Sequence, residues 1–456
     1  MINKRIPKDI EEAMKAREKF IPEALKDTSR PQYHFVSPAN LLIDVWGGIY
    51  HNGEYHLLYD NDYDNDETRQ GGAIGHIRSK NLVEWEELPF ALVPEKEKGE
   101  KQINDGTVVI DPSGRPLMFY TRCFFDNEKN REHVACYGSD DMLIWERAQN
   151  GEAVLTMENH GGPTFHMSWS DVIIFQESGR TFMIISKCVI PGKGEMIPIY
   201  EAVDDSWLKW KYRGVFAEHT GEVLNFIKIR DKWVLIYSPY QNPIYFVGDF
   251  DINTYKFTAE KTGILSYGYI KQGFKTDISR GFYATSVFYG ENSTPYIMGW
   301  ISGFINPKGW SGCASLARTL ELDEDNNLLM KPVPQLEMLR TEKVDIVNNR
   351  AVCGRCFELE LVVGLDNNGS VEISIEDGFI LKIAENKICF NDIEFEYKCD
   401  EKIQIKMYID VTVAEIFFDN GKISISRCFP EISEDAEIYV KGSGIIKECS
   451  LYKIQA

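Results

Sequence analysis

The sequence contains no long hydrophobic run and has little positive charge. No uninterrupted apolar stretch approaches the roughly 18 residues that a membrane-spanning helix needs, so no membrane partner is expected. Among 456 residues, 50 Lys and Arg stand against 70 Asp and Glu, which gives a formal net charge of −20. A polyanion would have to bind against that field, so nucleic acid is not expected as a partner either.

An apolar leader and a cysteine framework are also lacking. The charged N-terminus has no secretory h-region, and the ten cysteines are scattered. Cys123, Cys136 and Cys188 lie in apolar stretches where a thiol behaves as a small hydrophobic side chain. Cys353 and Cys356 form a C-x-x-C pair without a second pair at zinc-site spacing. The sequence therefore predicts a cytoplasmic protein with free thiols, no metal and no cofactor.

The sequence does contain a helical segment followed by many short strands. Residues 8–27 are rich in helix formers, with Ile10, Met14 and Ile21 roughly on one face, so one packing helix is expected. From Tyr33 onward, short aromatic and β-branched runs are broken by Gly, Asn and Asp, as in antiparallel hairpins. A chain of this length is expected to form two or three domains.

Five hairpins of one pattern recur along the first two thirds of the chain. Each has a turn marker between two strands, and the markers follow one another at intervals of 61, 65, 52 and 61 residues: Gly53, Gly114, Gly179, Asp231 and Asn292. This period suits one four-stranded blade with its loops. The repeat therefore predicts a five-bladed β-propeller.

An acidic residue precedes each of the first four turn markers by 9, 9, 8 and 9 residues. These residues are Asp44, Asp105, Asp171 and Glu222. The innermost strands of a propeller converge on its axis, so the four carboxylates are expected to meet at one end. In the less regular fifth unit, Asp277 lies 15 residues ahead of its marker, where it can still reach the rim.

Such a funnel of acids suits the cleavage of a glycosidic bond. One carboxylic acid protonates the leaving oxygen while a carboxylate works on the other side of the anomeric carbon. Close like charges keep one of the groups protonated. Trp46, Trp169 and Trp310 lie near the same strand ends and would offer faces on which sugar rings pack.

The last third of the chain has a different pattern. Stretches such as Phe357–Val363 and Ile403–Asp410 alternate with period two and indicate a β-sandwich. The predicted organisation is therefore all-β: a short N-terminal helical segment (1–30), a five-bladed β-propeller (31–325), a linker (326–344) and a C-terminal β-sandwich (345–456).

Three short blocks place the acids in a known context. Leu41-Leu-Ile-Asp44-Val-Trp-Gly47 looks like W-M-N-D-P-N-G, Ser170-Asp171-Val172 looks like R-D-P, and Gly221-Glu222-Val223 looks like E-C-P. In this order they resemble glycoside hydrolase family 32, the invertases, fructosidases and fructan hydrolases. The resemblance implies that Asp44 is the nucleophile, Asp171 the transition-state stabiliser and Glu222 the acid/base.

Further blocks extend this resemblance over nearly the whole chain. Tyr33-His-Phe resembles the opening of the family, Trp310-Ser-Gly-Cys-Ala-Ser-Leu-Ala-Arg318 its W-x-G-x-x-S-L-x-R, and the segment from Asp410 to Gly421 its D-x-S-x-x-E-x-F-x-N-x-G. There are also departures from the family pattern. Ile43 replaces Asn, Val45-Trp46 replace Pro-Asn, Ser170 replaces Arg, and Asp105 adds a carboxylate.

The resemblance implies a retaining hydrolase that cleaves terminal β-fructofuranosides of the sucrose or fructo-oligosaccharide type by double displacement. The partner is then a small carbohydrate, and a homo-oligomer is compatible with the sequence. The residues expected to bind the substrate are Trp46, Asp105, Trp169, Asp277 and Trp310.

Several alternatives remain open from the sequence. The chain could be a hydrolase or transferase acting on a different furanoside or a difructose anhydride, or a non-catalytic sugar-binding propeller. Asp44 could be a turn aspartate, Asp171 a strand cap and Asp105 a loop residue. Trp46 and Trp310 could equally pack within the blades. A purely structural scaffold is the least supported, because converging carboxylates cost stability.

Overall fold

The computed structural model describes residues 6–64, 72–124, 131–165, 169–190, 192, 194–271, 279–365, 369–384, 386–398 and 402–455. This part of the chain is almost entirely β-structure. None of the helices within it is long and apolar enough to cross a membrane.

Two short helices replace the single helix that the sequence predicted for residues 8–27. They are α1 (Lys8–Glu18) and α2 (Ile21–Ala24), and Pro22 lies in the first turn of α2, where its missing N–H is tolerated. The inward face of α1 also differs, because Arg17 is buried on it beside Ile10. Arg17 donates two hydrogen bonds to Glu87, at 2.6 and 2.9 Å, and lies over the ring of Phe90.

Five sheets follow, and their strands run from residue 40 to residue 332. The first contains β1 (Asn40–His51), β2 (Glu54–Asn61), β3 (Ala73–Ser79) and β4 (Glu86–Leu92). The second contains β5 (Glu100–Ile110), β6 (Pro116–Phe124), β7 (Arg131–Gly138), β8 (Trp145–Arg147) and β9 (Leu155–Thr156). The third contains β10 (Ser170–Glu177), β11 (Arg180–Ser186), β12 (Cys188–Ile190), β13 (Gly194–Ala202) and β14 (Trp210–Ala217).

The fourth sheet contains β15 (Glu222–Ile229), β16 (Lys232–Ser238), β17 (Ile244–Asp251) and β18 (Lys256–Ile264). The fifth contains β19 (Ile270–Lys271), β20 (Ser279–Tyr289), β21 (Pro295–Ser302), β23 (Cys313–Ala314), β24 (Arg318–Leu322) and β25 (Leu328–Pro332). Between β21 and β23, the short β22 (Trp310–Ser311) joins the first sheet by pairing in parallel with β1.

The five predicted hairpins are β1–β2, β5–β6, β10–β11, β15–β16 and β20–β21, and the strand that begins each hairpin is called its first strand. The first strand of each hairpin lies beside the first strand of the next, and β20 lies beside β1, which closes a ring. The prediction of a β-propeller is confirmed. The count of five blades stays a prediction, which these five sheets support.

The remaining strands form the predicted β-sandwich of two six-stranded antiparallel sheets. One sheet has the order β26 (Arg340–Val344), β37 (Ile445–Ile454), β28 (Cys356–Gly364), β33 (Lys402–Asp410), β34 (Val413–Phe418), β35 (Ile423–Cys428). The other has the order β27 (Arg350–Val352), β36 (Glu437–Gly442), β29 (Ser370–Ile375), β30 (Phe379–Ala384), β31 (Lys387–Phe390), β32 (Ile393–Glu396). Short 3₁₀ helices span Lys96–Lys98, Ala148–Gly151, Glu291–Ser293, Pro334–Leu339 and Asp419–Gly421.

The sandwich packs against the propeller of its own chain. One apolar cluster contains Leu316 and Val333 from the propeller side together with Tyr408 and Phe417 from the sandwich. All nine cysteines in the described ranges are free thiols, as the sequence predicted. The domain boundaries at residues 30, 325 and 344 stay predictions.

Candidate active site

Each first strand is interrupted by a β-bulge near the same end. In β1, β5 and β10 the pairing register shifts at Asp44, Asp105 and Asp171, and β15 and β20 carry bulges too, with Glu222 directly before the one in β15. A bulge turns one residue out of the ladder and re-aims its side chain. Asp44 and Asp171 have φ values of 41° and 61°, which are uncommon for non-glycine residues and cluster at functional sites.

Gly106, directly after the bulge in β5, has no room for a side chain. A Cβ atom there would lie 1.7 Å from the carbonyl oxygen of Phe119 on β6. The backbone of β5 can therefore approach β6 closely only with glycine at this position.

Hydrogen bonds tie the bulged residues to the neighbouring sheets. The backbone N–H of Asp171 donates to Thr121 Oγ1 of the second sheet at 3.2 Å. The backbone N–H of Val223 donates to Asp171 Oδ2 at 2.9 Å, and that of Ala284 donates to Ser238 Oγ at 3.1 Å. The acids are therefore positioned by strands that are fixed across the sheet boundaries.

Three carboxylates gather where the first two sheets meet. Asp44, Asp60 and Asp105 each place an oxygen within 4.8 Å of the others. Asp105 is 4% exposed, and its Oδ1 has no hydrogen-bond partner among the described residues. Burial, followed by the charges of Asp44 and Asp60, raises the pKa of Asp105 well above its usual range. Asp105 therefore keeps its proton to higher pH than an ordinary aspartate, and a hard divalent cation could take the place of that proton.

Asp171, in contrast, is buried and ionised. Its Oδ2 accepts a hydrogen bond from Ser186 Oγ at 2.9 Å, besides the one from the backbone of Val223, and lies 3.3 Å from Lys187 Nζ. Burial alone would raise the pKa of Asp171, but the charge of Lys187 and these hydrogen bonds lower it below its usual value. The site therefore contains a fixed negative charge at this position.

Glu222 stands at the beginning of β15 with a side chain that is 16% exposed. Lys187 Nζ lies 2.9 Å from its Oε1, and the hydroxyl of Tyr240 donates to the same oxygen. The hydroxyl of Tyr283 lies 3.1 Å from Oε2. Three donors from three segments of the chain therefore fix the orientation of this carboxyl group.

An axial cavity is lined by residues from all five first strands. The lining includes the buried acids Asp105 and Asp171 and the polar side chains of Thr107, Asn225 and Thr285. Asn225 Nδ2 donates to the carbonyl oxygen of Thr285 at 2.7 Å, which links the fourth and fifth sheets at the cavity wall. The first strands thus converge on one axis, as the repeat predicted, and carry acids into it.

The prediction that the three tryptophans bind sugar is not supported by their positions. Trp169 is fully buried and packs on His133, with a distance of 4.4 Å between the ring centroids. Trp310 is 1% exposed, packs on Phe304, and donates its indole N–H to Asp27 Oδ2 at 2.9 Å. A sugar ring cannot reach either indole face in this structure, so Trp169 and Trp310 are core residues.

Trp46 borders the axial cavity but is also only 1% exposed. Its indole N–H donates to Asp60 Oδ1 at 3.1 Å. Trp46 therefore orients an acid of the site and presents no stacking face. The last predicted contact, Asp277, lies outside the described residues.

Sequence reasoning missed Asp60, Lys187, Tyr240 and Tyr283. Asp60 ends the apolar run of β2, and Lys187 directly follows β11, so each lies at the site end of a second strand. Examining the second strand of each hairpin unit for polar residues at this end would have found both. Tyr240 lies two residues beyond β16, at the same end of a second strand, and Tyr283 precedes its turn marker Asn292 by nine residues, which is the register position of the acids.

Comparison with known proteins gives the same context for this geometry. Residues 34–332 match the family described as Glycosyl hydrolases family 32 N-terminal domain. The chain is 23% identical to the sucrose-6-phosphate hydrolase of Escherichia coli over 94% of this chain and 95% of that protein. It is 25% identical to the sucrose-6-phosphate hydrolase of Bacillus subtilis over 91% of each.

Solved structures share the fold over nearly the full length. The sucrose-6-phosphate hydrolase from Lactobacillus gasseri superposes with a TM-score of 0.82 at 20% identity, over 97% of this chain and 96% of that chain. A Bombyx mori GH32 beta-fructofuranosidase superposes with a TM-score of 0.79 at 22% identity, over 98% of each chain. The family match covers well over half of the sequence, so the chain belongs to glycosyl hydrolase family 32 and is a glycoside hydrolase.

Proposed function

We propose that this glycoside hydrolase releases terminal β-fructofuranosyl units, of the sucrose or fructo-oligosaccharide type, with retention of configuration. The observation that carries the proposal is the meeting of Asp171 and Glu222 at one site, on bulged first strands of the ring that also carries Asp44. The names of the matched relatives, which include sucrose-6-phosphate hydrolases and a levanase, support a fructoside as the substrate.

The proposed reaction has two displacement steps at the anomeric carbon. In the first, a carboxylate oxygen of Asp44 forms a bond to that carbon while the bond to the leaving oxygen breaks and Glu222 gives its proton to that oxygen. In the second, Glu222 takes a proton from water, whose oxygen attacks the same carbon and releases Asp44. The fixed charge of Asp171 binds ring hydroxyls and stabilises the oxocarbenium-like transition state.

Asp60 and Asp105 make the substrate-binding side of this site strongly acidic. We propose that Asp105, as a carboxylic acid, donates a hydrogen bond to a hydroxyl of the bound sugar. The carboxylate of Asp105 is an addition to the family pattern on this side of the site. A different furanoside or a difructose anhydride is therefore the second candidate substrate. Transfer of the sugar to an acceptor other than water would use the same first step.

We also propose how this activity is distributed over the chain. The propeller, residues 31–325, carries the catalytic residues, and the sandwich, residues 345–456, supports it through the shared apolar cluster. The nine free thiols in the described ranges fit a reducing compartment, so the enzyme is proposed to work in the cytoplasm.

The test is sugar release from sucrose, short inulin- and levan-type fructans, difructose anhydrides and arabinofuranosides. Wild type is compared with Asp44→Asn and Glu222→Gln, and with the matched exposed controls Asp205→Asn and Glu152→Gln. We expect fructose release that both site variants abolish and both controls retain, with β-fructose as the first anomer seen by NMR. Release from only another furanoside would replace the substrate, and binding without turnover that Asp44→Asn leaves unchanged would refute the enzyme mechanism.

A further inference from the structure

Lys187 bridges two acids that belong to different sheets. It directly follows β11, and its Nζ lies 2.9 Å from Glu222 Oε1 and 3.3 Å from Asp171 Oδ2. Asp171 comes from the third sheet and Glu222 from the fourth. The ammonium group therefore joins the two sheets at the site itself.

The backbone of Lys187 is held in an unusual conformation that aims this side chain. Its φ of 55° lies in the left-handed region, which lysine rarely adopts. Its backbone N–H donates to Thr220 Oγ1 at 2.8 Å, and its carbonyl oxygen accepts from the backbone N–H of Trp169 at 3.3 Å. Contacts on both sides thus fix a conformation that would otherwise relax.

The surroundings of Lys187 keep it charged. Its side chain is 19% exposed, and although burial alone would lower its pKa, the carboxylates of Asp171 and Glu222 raise the pKa above its usual value. It therefore remains an ammonium ion at any working pH. The titratable groups that face it from the packed elements are Asp171, Glu222, Tyr240, Tyr283, Asp105 and Cys123.

We propose that Lys187 is a positioning residue that orients Glu222 and stabilises the carboxylate which Glu222 becomes when it protonates the leaving oxygen. This inference rests on the acid/base role proposed for Glu222. The negative charge on Glu222 forms during the first displacement, 2.9 Å from a fixed positive charge. Such an interaction is stronger in the transition state than before it, which is the condition for accelerating the reaction.

The proposal has a consequence for the pH profile. At alkaline pH, activity is lost when the acid has already given up its proton. Lys187→Met removes a positive charge that lies 2.9 Å from Glu222 Oε1, so the alkaline limb of kcat/KM should move to higher pH.

The experiment compares pH profiles of wild type, Lys187→Met and Lys187→Arg on the substrate that wild type cleaves best. For Lys187→Met we expect kcat to fall about tenfold or more, KM to change little and the alkaline limb to move to higher pH. Lys187→Arg should keep the limb near its wild-type position. The matched control is Lys232→Met, because Lys232 also bridges two carboxylates, Asp249 and Glu260, at 2.9 and 2.8 Å, at the opposite end of a second strand.

Each alternative outcome has a separate meaning. An unchanged limb in Lys187→Met overturns the proposal, whether activity is kept or is lost together with thermal stability, because a merely structural role would not move the limb. If the Met variant does not fold, Lys187→Gln, which keeps a donor without the charge, must show the same limb shift. A wild type that is inactive on the whole panel would refute the proposed function and, with it, the acid/base role of Glu222 on which this proposal rests.

Discussion

Asp410 Oδ2 in the sandwich lies 2.8 Å from Nδ1 of His34, which precedes the first strand of the propeller. The other ring nitrogen of His34 lies 3.1 Å from Glu415 Oε1, and all three side chains are fully buried. Burial alone would lower the pKa of His34, but hydrogen bonds to the two carboxylates raise it to about 9. A charged imidazolium therefore joins the two domains.

This arrangement predicts a loss of stability at alkaline pH. The pKa of His34 rises from 6.5 to about 9 on folding, so the contribution is complete below pH 6.5 and disappears as pH rises through about 9. The difference between the folded and unfolded pKa values of His34 corresponds to about 3 kcal/mol of unfolding free energy. Urea unfolding at pH 6.5 and 9.5 measures it, and in His34→Gln the pH dependence should be clearly smaller. If the unfolding free energy changed with pH equally in wild type and in His34→Gln, the prediction would be contradicted. His51→Gln serves as a control outside the network.

Arg318 is the second cation of this buried network. It is fully buried, pairs with Glu415 and donates to Ser426 Oγ at 2.6 Å. Arg318→Met leaves Glu415 without its guanidinium partner, so the unfolding free energy should fall by about 3 to 5 kcal/mol. The double variant with Glu415→Gln should lose less than the sum of the two single changes.

A matched exposed pair separates burial from ion pairing in the Arg318 prediction. Arg350 Nη1 lies 4.0 Å from Glu437 Oε2, with side chains that are 61% and 36% exposed. Exposed pairs contribute roughly 0 to 1 kcal/mol, so Arg350→Met should change the unfolding free energy by no more than that. If Arg350→Met and Arg318→Met lowered the unfolding free energy by similar amounts, burial would not explain the large effect expected at Arg318.

The same network shows what the sequence could and could not predict. The hairpins followed from strand alternation and turn residues, which are local signals, and the series of acids followed from their register. Three blocks of the family pattern are visible in the sequence: the opening, W-x-G-x-x-S-L-x-R and D-x-S-x-x-E. The sequence does not show that these blocks contact one another in the folded protein. His34, Arg318 and Glu415 are brought together by packing between domains, over separations that no local pattern encodes.

The tryptophans and Lys187 show the same limit at the site. An aromatic residue near a strand end can belong either to a pocket wall or to the core. Trp169 and Trp310 are buried in the structure, so both belong to the core. A polar residue at the site end of β11 is visible in the sequence, but Lys187 reaches Glu222 and Asp171 because its backbone leaves the strand conformation after β11. Side-chain direction at a strand end is therefore the information that the sequence lacks.

The buried position of Trp310 predicts a structural effect of its substitution. Trp310→Phe removes the indole N–H that binds Asp27 and leaves a gap beside Phe304, so stability should fall by about 1 to 3 kcal/mol. KM should stay near its wild-type value, because the ring does not reach the site. The contrasting variant is Tyr240→Phe, at a residue that is 46% exposed and donates to Glu222, where kcat should fall with little change in thermal stability. A large rise in KM for Trp310→Phe would restore it as a sugar contact.

We expect Asp105→Asn to raise the unfolding free energy, whereas the preceding core substitutions lower it. Its pKa is raised in the folded protein, so the folded state holds a proton that the unfolded chain has released above about pH 4. Stability therefore falls as pH rises from about 4 towards the folded pKa, and Asp105→Asn should remove this penalty. The variant should gain about 1 to 3 kcal/mol at pH 8, the usual cost of a buried unpaired polar group, and almost nothing at pH 4.

Urea unfolding of wild type and Asp105→Asn at pH 4 and pH 8, with EDTA present, measures this gain. Asp60→Asn is the matched comparison, because it removes a carboxylate from the same cluster at a less buried position. A loss of stability in Asp105→Asn at pH 8 without EDTA, together with a rise in the wild-type melting temperature on adding Ca²⁺, would mean that a cation and not a proton neutralises the cluster. The gain with EDTA would mean that the enzyme keeps Asp105 at a cost in stability, as in the trade of stability for activity at functional sites.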